Sequence, residues 1–151
     1  MNKTCKIRLA VNSERVALEQ LQLRASLNNA GDRDALLAKP DAIELPEAQI
    51  ADGQVFVAVQ DEVIVGFAAV LLRTDGDIEL DGLFVEPVKW RSGVGRTLVN
   101  RCVEYAYDQG AYALHVIGNP HAKRFYESSG FEFLGTHETR FGVGLLYRKN
   151  L

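Results

Sequence analysis

Two glycines and two arginines lie close together in VKWRSGVGRTLV, residues 88–99, where a strand-like run gives way to a helix-like one. The first turn of a helix has amides with no carbonyl to bond and carries partial positive charge. Glycine there lets a ligand come close to the backbone. A phosphate is therefore a natural guest of Gly93 and Gly95, with Lys89, Arg91 and Arg96 adding charge. The stretch departs from two well-known phosphate loops. The pattern G-x-x-x-x-G-K-[ST] would need glycine at Trp90 and lysine at Arg96, and a dinucleotide fingerprint would need a third glycine at Leu98. Read alone, Gly-Val-Gly is explained equally well by tight packing of a helix on a strand.

A second set stands in GNPHAKRFYESSGF, residues 118–131. Asn119 followed by Pro120 is a helix start, with Asn as N-cap and Pro at the first helical position. Tyr126 comes seven residues after Asn119, almost two turns on, so both occupy one helix face. Helical side chains lean toward the N-terminus, which aims the phenol back at the strand ends. Ala122, between them on that face, leaves room for something slender to pass, whereas Phe125 faces the core. His115, His121 and His137 fall in a strand, in a first helical turn and near a turn; no pair has metal-ligand spacing, so no metal is expected. Lys123 and Arg124 read as a solvated helix face, with a nucleotide phosphate as the alternative guest.

The elements that must position these residues follow from periodicity. CKIRLA alternates as a first strand, and Asn12 or Ser13 caps a helix running to about Asn28 through Val16, Leu18, Leu21, Leu23 and Leu27. Residues 29–53 are irregular and hold one or two short helices. VFVAV, VIVGFAAVLL and IELDGLFV then read as strands joined by the turns QDE and RTDGD. A helix follows from near Val94 to Gln109, its stripe made by Val94, Leu98, Cys102, Tyr105 and Ala106 and its end by Gly110. A strand over 113–118, a helix over 120–129, and strands at FEFLGT and VGLLYRK complete the chain. The expected fold is α/β (α+β) in the order βααββββαβαββ. It is a mixed, mainly antiparallel sheet of about seven strands with about four helices, in a single domain over 1–151.

Bulk properties narrow the class. The 151 residues are 47% hydrophobic and 25% charged, ordinary for a globular domain with one substantial core. A net charge of −3 argues against a dedicated nucleic-acid binder. Cys5 and Cys102 are far apart and read as reduced thiols, Cys102 in the core. No window approaches a membrane span and the start lacks an apolar leader, so the expected compartment is the cytoplasm.

Over nearly its full length the chain resembles the GNAT superfamily of acyl-CoA-dependent N-acyltransferases. ELDGLFVEPVKWRSGVGRTLV resembles that family's acetyl-CoA motif Q/R-x-x-G-x-G/A, and GNPHAKRFYESSGF its N-x-x-A-x-x-x-Y…GF motif. Trp90 occupies the usual Gln/Arg position, with Arg91 one place along.

The resemblance implies an acetyl-CoA donor, no metal and an amine acceptor. Amides from Arg91, Ser92, Gly93, Val94, Gly95 and Arg96 would hold the diphosphate. Leu83, Phe84 and Val85 would pair with the pantetheine arm like a missing strand, in a gap where strands 78–85 and 113–118 splay apart. Asn119 and Ala122 would line the cofactor, and Tyr126 would be the acid for the departing thiolate. Glu79 is the first candidate for the base, from its place on the strand before the loop. Asp81 shares its face two residues on.

If Glu79, Asp81 and Glu86 face one cleft, a cationic acceptor is drawn in: a polyamine, an amino sugar, or a lysine or N-terminal amine of a peptide. The favoured reading is an N-acetyltransferase of a small molecule or peptide. A toxin-type enzyme acting on aminoacyl-tRNA would call for a basic acceptor face, and a non-catalytic acyl-CoA-binding module is the third alternative. A homodimer stays open.

Overall fold

The computed structural model describes residues 5–28, 33–34, 36, 43–139 and 142–151. Among them are seven strands: β1 (Lys6–Leu9), β2 (Val55–Gln60), β3 (Val63–Leu72), β4 (Ile78–Val85), β5 (Ala113–Gly118), β6 (Glu132–Thr139) and β7 (Gly142–Asn150). Four α-helices with described bounds join them: α1 (Arg15–Leu27), α2 (Glu47–Ala51), α3 (Val94–Asp108) and α4 (Lys123–Ser128), and Arg33, Asp34 and Leu36 are helical as well. The strands form one sheet in the order β1-β2-β3-β4-β5-β7-β6. The mixed, mainly antiparallel sheet expected from the pattern is thus present. Its middle run holds three strands where the expected order wrote four. Much of the stretch 29–42, on which part of the irregular-segment reading fell, lies outside the described residues.

The chain divides into two compact units, Met1–Ala69 with Gly82–Arg101, and Val70–Asp81 with Cys102–Leu151. In the first, β2 is an almost continuous buried run paired antiparallel with β1 and β3. Such a strand needs cover on both faces. Val55 and Val57 join Leu18 and Leu21 of α1, Ile50 of α2 and Phe67 and Ala69 of β3 in one apolar cluster. Phe56, pointing the other way, lies under the Arg101 guanidinium of α3 at 4.6 Å from its ring centroid. Fully burying Leu18 and Leu21 contributes roughly 2 kcal/mol each.

The α1 expectation needs two corrections. Residues 12–14 form a 3-10 turn ahead of the helix, and Glu14, rather than Asn12 or Ser13, accepts from the Val11 amide at 2.9 Å. Val16 and Leu23 are exposed, because the inward stripe runs Leu18, Leu21, Ala25.

In the second unit β5 pairs in parallel with β4, Ile78–Leu80 against Leu114–Val116, and antiparallel with β7, which pairs with β6. Alternation puts Ile78, Leu80, Leu114, Val116 and Tyr147 on one buried face. Glu79, His115 and Arg148 succeed one another across the opposite face, in register. β6 is the exposed edge, longer than expected, and His137 lies inside it rather than beside a turn. Cys102 and Ala106 continue the buried stripe of α3 into this unit, as Val94 and Leu98 supply it in the first. Neither cysteine is in a disulfide. No helix among the described residues is long and apolar enough to cross a membrane.

Candidate functional site

In the first unit, β4 ends at Val85 and the chain makes a 3-10 turn over Pro87–Lys89 before entering α3 at Val94. Gly93 takes a φ of +93°, a left-handed conformation that side chains resist, and a Cβ built on it would meet nothing within 4 Å. The glycine is there for the path of the chain, beside open space. The first backbone bond of the helix runs from the Thr97 amide to the Gly93 carbonyl, 3.0 Å, and the Thr97 hydroxyl bonds the same carbonyl. The amides of Val94 and Gly95 precede that bond and have no carbonyl within their own helix. Arg91, Ser92, Gly93 and Arg96 are exposed, and the Val94 side chain is buried while its amide belongs to the first turn. Arg91 is also left-handed, with φ 63°.

Side chains around this turn bond to the chain itself. The Trp90 indole N–H donates to the Val85 carbonyl at 2.8 Å, and the Ser92 hydroxyl donates to the Lys89 carbonyl. The Arg24 guanidinium of α1 grips both oxygens of the Glu86 carboxylate, which raises the pKa of Arg24, chiefly through those hydrogen bonds. Leu83, Phe84 and Val85 are half-buried, Phe84 with its ring 5.4 Å from that of Phe67. No sequence rule announces the Arg24–Glu86 pair, 62 residues apart, or an indole that turns back on its own strand.

In the second unit, Asn119 caps its turn as the Asn-Pro pair predicts: its side-chain oxygen accepts from the His121 amide at 2.9 Å, with Pro120 in the first turn. The turn is 3-10 over Pro120–Ala122 before α4 begins. Ala122 is half-buried and His121, Lys123 and Arg124 are exposed. Tyr126 is buried, 7% exposed, in an aromatic cluster with Phe125, Phe131 and Tyr147 at centroid distances of 5.2, 5.5 and 5.6 Å. A Cβ added to Gly118 would stand 2.9 Å from its ring, so glycine is what lets the phenol lie against β5. Burial first, then Cys102 and Tyr147, push the Tyr126 pKa well above the ordinary phenol range.

The two candidate bases lie elsewhere. Gly118 shares its side of β5 with Val116 and Leu114, so Tyr126 lies on the buried face, whereas Glu79 stands beside His115 on the opposite one. Asp81 shares the Glu79 face and is exposed. The structure therefore puts the candidate acid and the candidate bases on opposite faces of this part of the sheet. Glu79 is 3.6 Å from Arg73, and Glu86 is paired with Arg24. Two of the three carboxylates expected to make an acidic neighbourhood thus carry their own countercharge.

Asp77, read from sequence as hairpin turn, does more. One of its oxygens accepts from the amides of Tyr112 and Ala113, 2.9 and 3.3 Å, and the other lies 2.8 Å from His115 Nε2. The hydrogen bond with His115 is the main cause holding the Asp77 pKa below the usual carboxylate range. Asp75, Asp77 and His115 bring ligand-type atoms within 4.8 Å of one another, a proximity that residues 38 apart do not reveal in sequence. Their bonds to Arg73, to backbone amides and to each other account for the arrangement, and we assign no ion to it.

A seven-stranded mixed sheet with a left-handed glycine opening the helix after β4 defines an α/β fold with an exposed glycine turn between that strand and that helix. The chain belongs to the acetyltransferase (GNAT) family, whose model matches residues 18–131. Among curated proteins it is 32% identical over 92 residues to an uncharacterized N-acetyltransferase of Mycobacterium tuberculosis, and equally to one of Mycobacterium bovis. The match spans 59% of this chain and 59% of those relatives. Solved structures match over nearly the whole chain. A GCN5-related N-acetyltransferase from Rhodopseudomonas palustris has TM-score 0.78 and 23% identity, covering 100% of this chain and 98% of that one. The PaiA N-acetyltransferase from Thermoplasma acidophilum, in complex with coenzyme A, has TM-score 0.79 and 15% identity over 98% and 99%. A ribosomal-protein-alanine N-acetyltransferase from Brucella melitensis has TM-score 0.70 and 23% identity over 97% and 99%. At these identities the structural likeness is one of fold.

Proposed function

We propose that this chain is a single-domain N-acetyltransferase that moves an acetyl group from acetyl-CoA to a primary amine, by direct attack within a ternary complex. The observation that carries the reading is the Gly93 turn: exposed residues Arg91, Ser92 and Gly93 lead into α3, whose first amides have no carbonyl within their own helix, with open space beside the glycine. The amides of Arg91 to Arg96 hold the diphosphate, and those of Leu83 to Val85 pair with the pantetheine arm; Asn119 and Ala122 are the cofactor residues proposed in the second unit. Family membership and the coenzyme A held by the Thermoplasma structure support that donor.

Each chemical demand then falls on a group of this chain. An alkyl ammonium has a pKa of about 10.4, so supplying the neutral amine at pH 7.4 costs about 4 kcal/mol, three units at roughly 1.36 each. Glu79, or Asp81 on the same face, takes that proton through water, since both stand across this part of the sheet from Tyr126. Oxygen charge that builds on the thioester carbonyl is met by a main-chain amide near Phe84 or Val85. Tyr126 serves the departing thiolate. Its raised pKa sets the manner: passing a proton from a phenol above about 10 to a thiolate near 8.5 runs uphill by at least about 2 kcal/mol. The phenol accordingly stabilises the thiolate as a hydrogen-bond donor, and the proton that completes the thiol comes from the attacking nitrogen, which sheds it as the C–S bond breaks and the tetrahedral intermediate collapses to the amide.

The acceptor is a small-molecule or peptide amine. The arginines beside Glu79 and Glu86 weaken the pull on a polycation, which favours a singly charged amine such as a peptide N-terminus. The Brucella structure, with its ribosomal-protein-alanine acceptor, is a relative in fold with that chemistry.

The test has two stages. Acetyl-CoA should raise the melting temperature, because only the folded chain has the amide turn; no shift at millimolar ligand removes the donor assignment. An amine library, read by release of CoA thiol, should then find turnover. Binding without turnover for any amine would make the chain an acyl-CoA-binding module.

A further inference from the structure

Trp90 stands where the family pattern carries Gln or Arg, and its side chain is committed to the chain itself. The indole N–H bonds the last carbonyl of β4, Val85, while the residue stays 44% exposed. The turn it closes is tied to the backbone at three points. The Glu86 amide reaches the Val65 carbonyl at 2.8 Å, the Lys89 amide the Glu86 carbonyl at 2.8 Å, and the Trp90 amide the Pro87 carbonyl at 3.2 Å. Directly after Trp90 comes Arg91 at φ 63°, a conformation that costs a non-glycine residue on the order of 1 kcal/mol and persists only when its neighbours hold it. One end of residues 91–96 is thus fixed by the indole on β4, and the other by Thr97 on Gly93.

We infer that Trp90 is a positioning residue for the donor: its indole N–H, anchored on the Val85 carbonyl, sets the path of residues 91–96 so that their amides converge on the diphosphate. The inference rests on the acetyl-CoA reading above. This chain spends its side-chain donor at position 90 on its own backbone. It gains affinity through a loop already in its bound shape rather than through one more ligand contact.

Calorimetry of CoA binding to the wild-type protein, Trp90→Phe and Trp90→Gln tests it. Trp90→Phe keeps an aromatic ring and loses the N–H, and should raise the Kd for CoA about tenfold, the worth of one hydrogen bond. Trp90→Gln, with an amide donor of its own, should stay within about threefold of wild type. A general loss of folding stability would not separate Phe from Gln in this way. No CoA binding by the wild-type protein overturns the acetyltransferase reading and this inference with it. Wild-type binding with an unchanged Trp90→Phe affinity, or with Gln as weak as Phe, overturns this inference alone. If Trp90→Phe cannot be purified, the emission of the chain's one tryptophan decides. It should not move to the red as CoA binds, because the indole keeps its bond; a red shift toward free indole shows the bond released and the inference wrong.

Discussion

In the first unit the candidate chemistry belongs to the main chain. Exposed amides lie along a turn whose shape is set by a left-handed glycine, a left-handed arginine and bonds the segment makes with itself. In the second unit it belongs to one phenol, buried among three aromatic rings and resting on a strand glycine. On the proposed reading the turn meets a strongly charged, hydrated group, which suits main-chain amides that need no desolvation of a side chain. The phenol has to stay neutral and fixed, which suits burial: a buried hydroxyl resists ionisation and has few positions to adopt. The two regions call for opposite surroundings, so they should fail in opposite ways when altered.

Four substitutions can break or sharpen that contrast. Tyr126→Phe should have the largest effect, lowering kcat by about 100-fold or more with little change in the KM for acetyl-CoA, read by steady-state kinetics. An unchanged kcat would remove the phenol from the chemistry. The raised phenol pKa also predicts no loss of rate from Tyr126 ionisation as pH climbs from 7 toward the ordinary phenol range near 10. Above that range the sign is fixed. The folded chain holds the phenolic proton more tightly than the unfolded one, so stability contributed below about pH 10 is lost as pH rises.

Gly93→Ala should act on the other region. A methyl group at φ +93° costs on the order of 1–2 kcal/mol of stability although there is room for it. It should also shrink the melting-temperature rise given by acetyl-CoA. A full ligand shift in this variant would free the turn from its assigned role.

Glu79→Gln should lower activity about tenfold near neutral pH and recover as the acceptor amine loses its own proton at high pH. A constant ratio across pH gives the base role to Asp81 or water. Glu79 and Tyr126 stand on opposite faces of this part of the sheet, so their effects on kcat should combine nearly additively in the double variant.

The smallest effect belongs to Asp77→Asn, about 1 kcal/mol of unfolding free energy, since weakened bonds remain to Tyr112, Ala113 and His115. The Asp77 pKa is lowered in the fold, so its contribution is present above the unfolded carboxylate value near 4 and fades as pH falls through the folded one. Denaturant titrations of wild type and variant should converge in acid. A gap that persists at low pH would mean that the aspartate acts by shape alone.

What could be read before folding follows from how local each rule is. Gly93 was legible because a glycine opening a helix leaves few alternatives, and Asn119 because an Asn-Pro pair starts a helix by its own geometry. The strands were legible because each is a short run of apolar and β-branched residues, alternating in some and continuous in β2 and β3, bounded by turn residues. The α1 stripe was read too broadly, since five apolar residues over twelve positions fit several faces and packing chose Leu18, Leu21 and Ala25. Glu79 and Asp81 were rightly put on one face of their strand, but which side of the sheet Tyr126 would take depended on how α4 folds back onto β5.

By itself, then, the sequence determined the elements, the glycine turn and the capped start that follows β5, because each rests on backbone preferences of residues a few places apart. Tertiary structure alone decided that Arg24 neutralises Glu86, that Asp77 and His115 meet across 38 residues, and that the Trp90 indole turns back on Val85. Those contacts depend on where packing carries a side chain's far end. A free energy of that kind is shared among many distant atoms, and no single stretch of the chain records it.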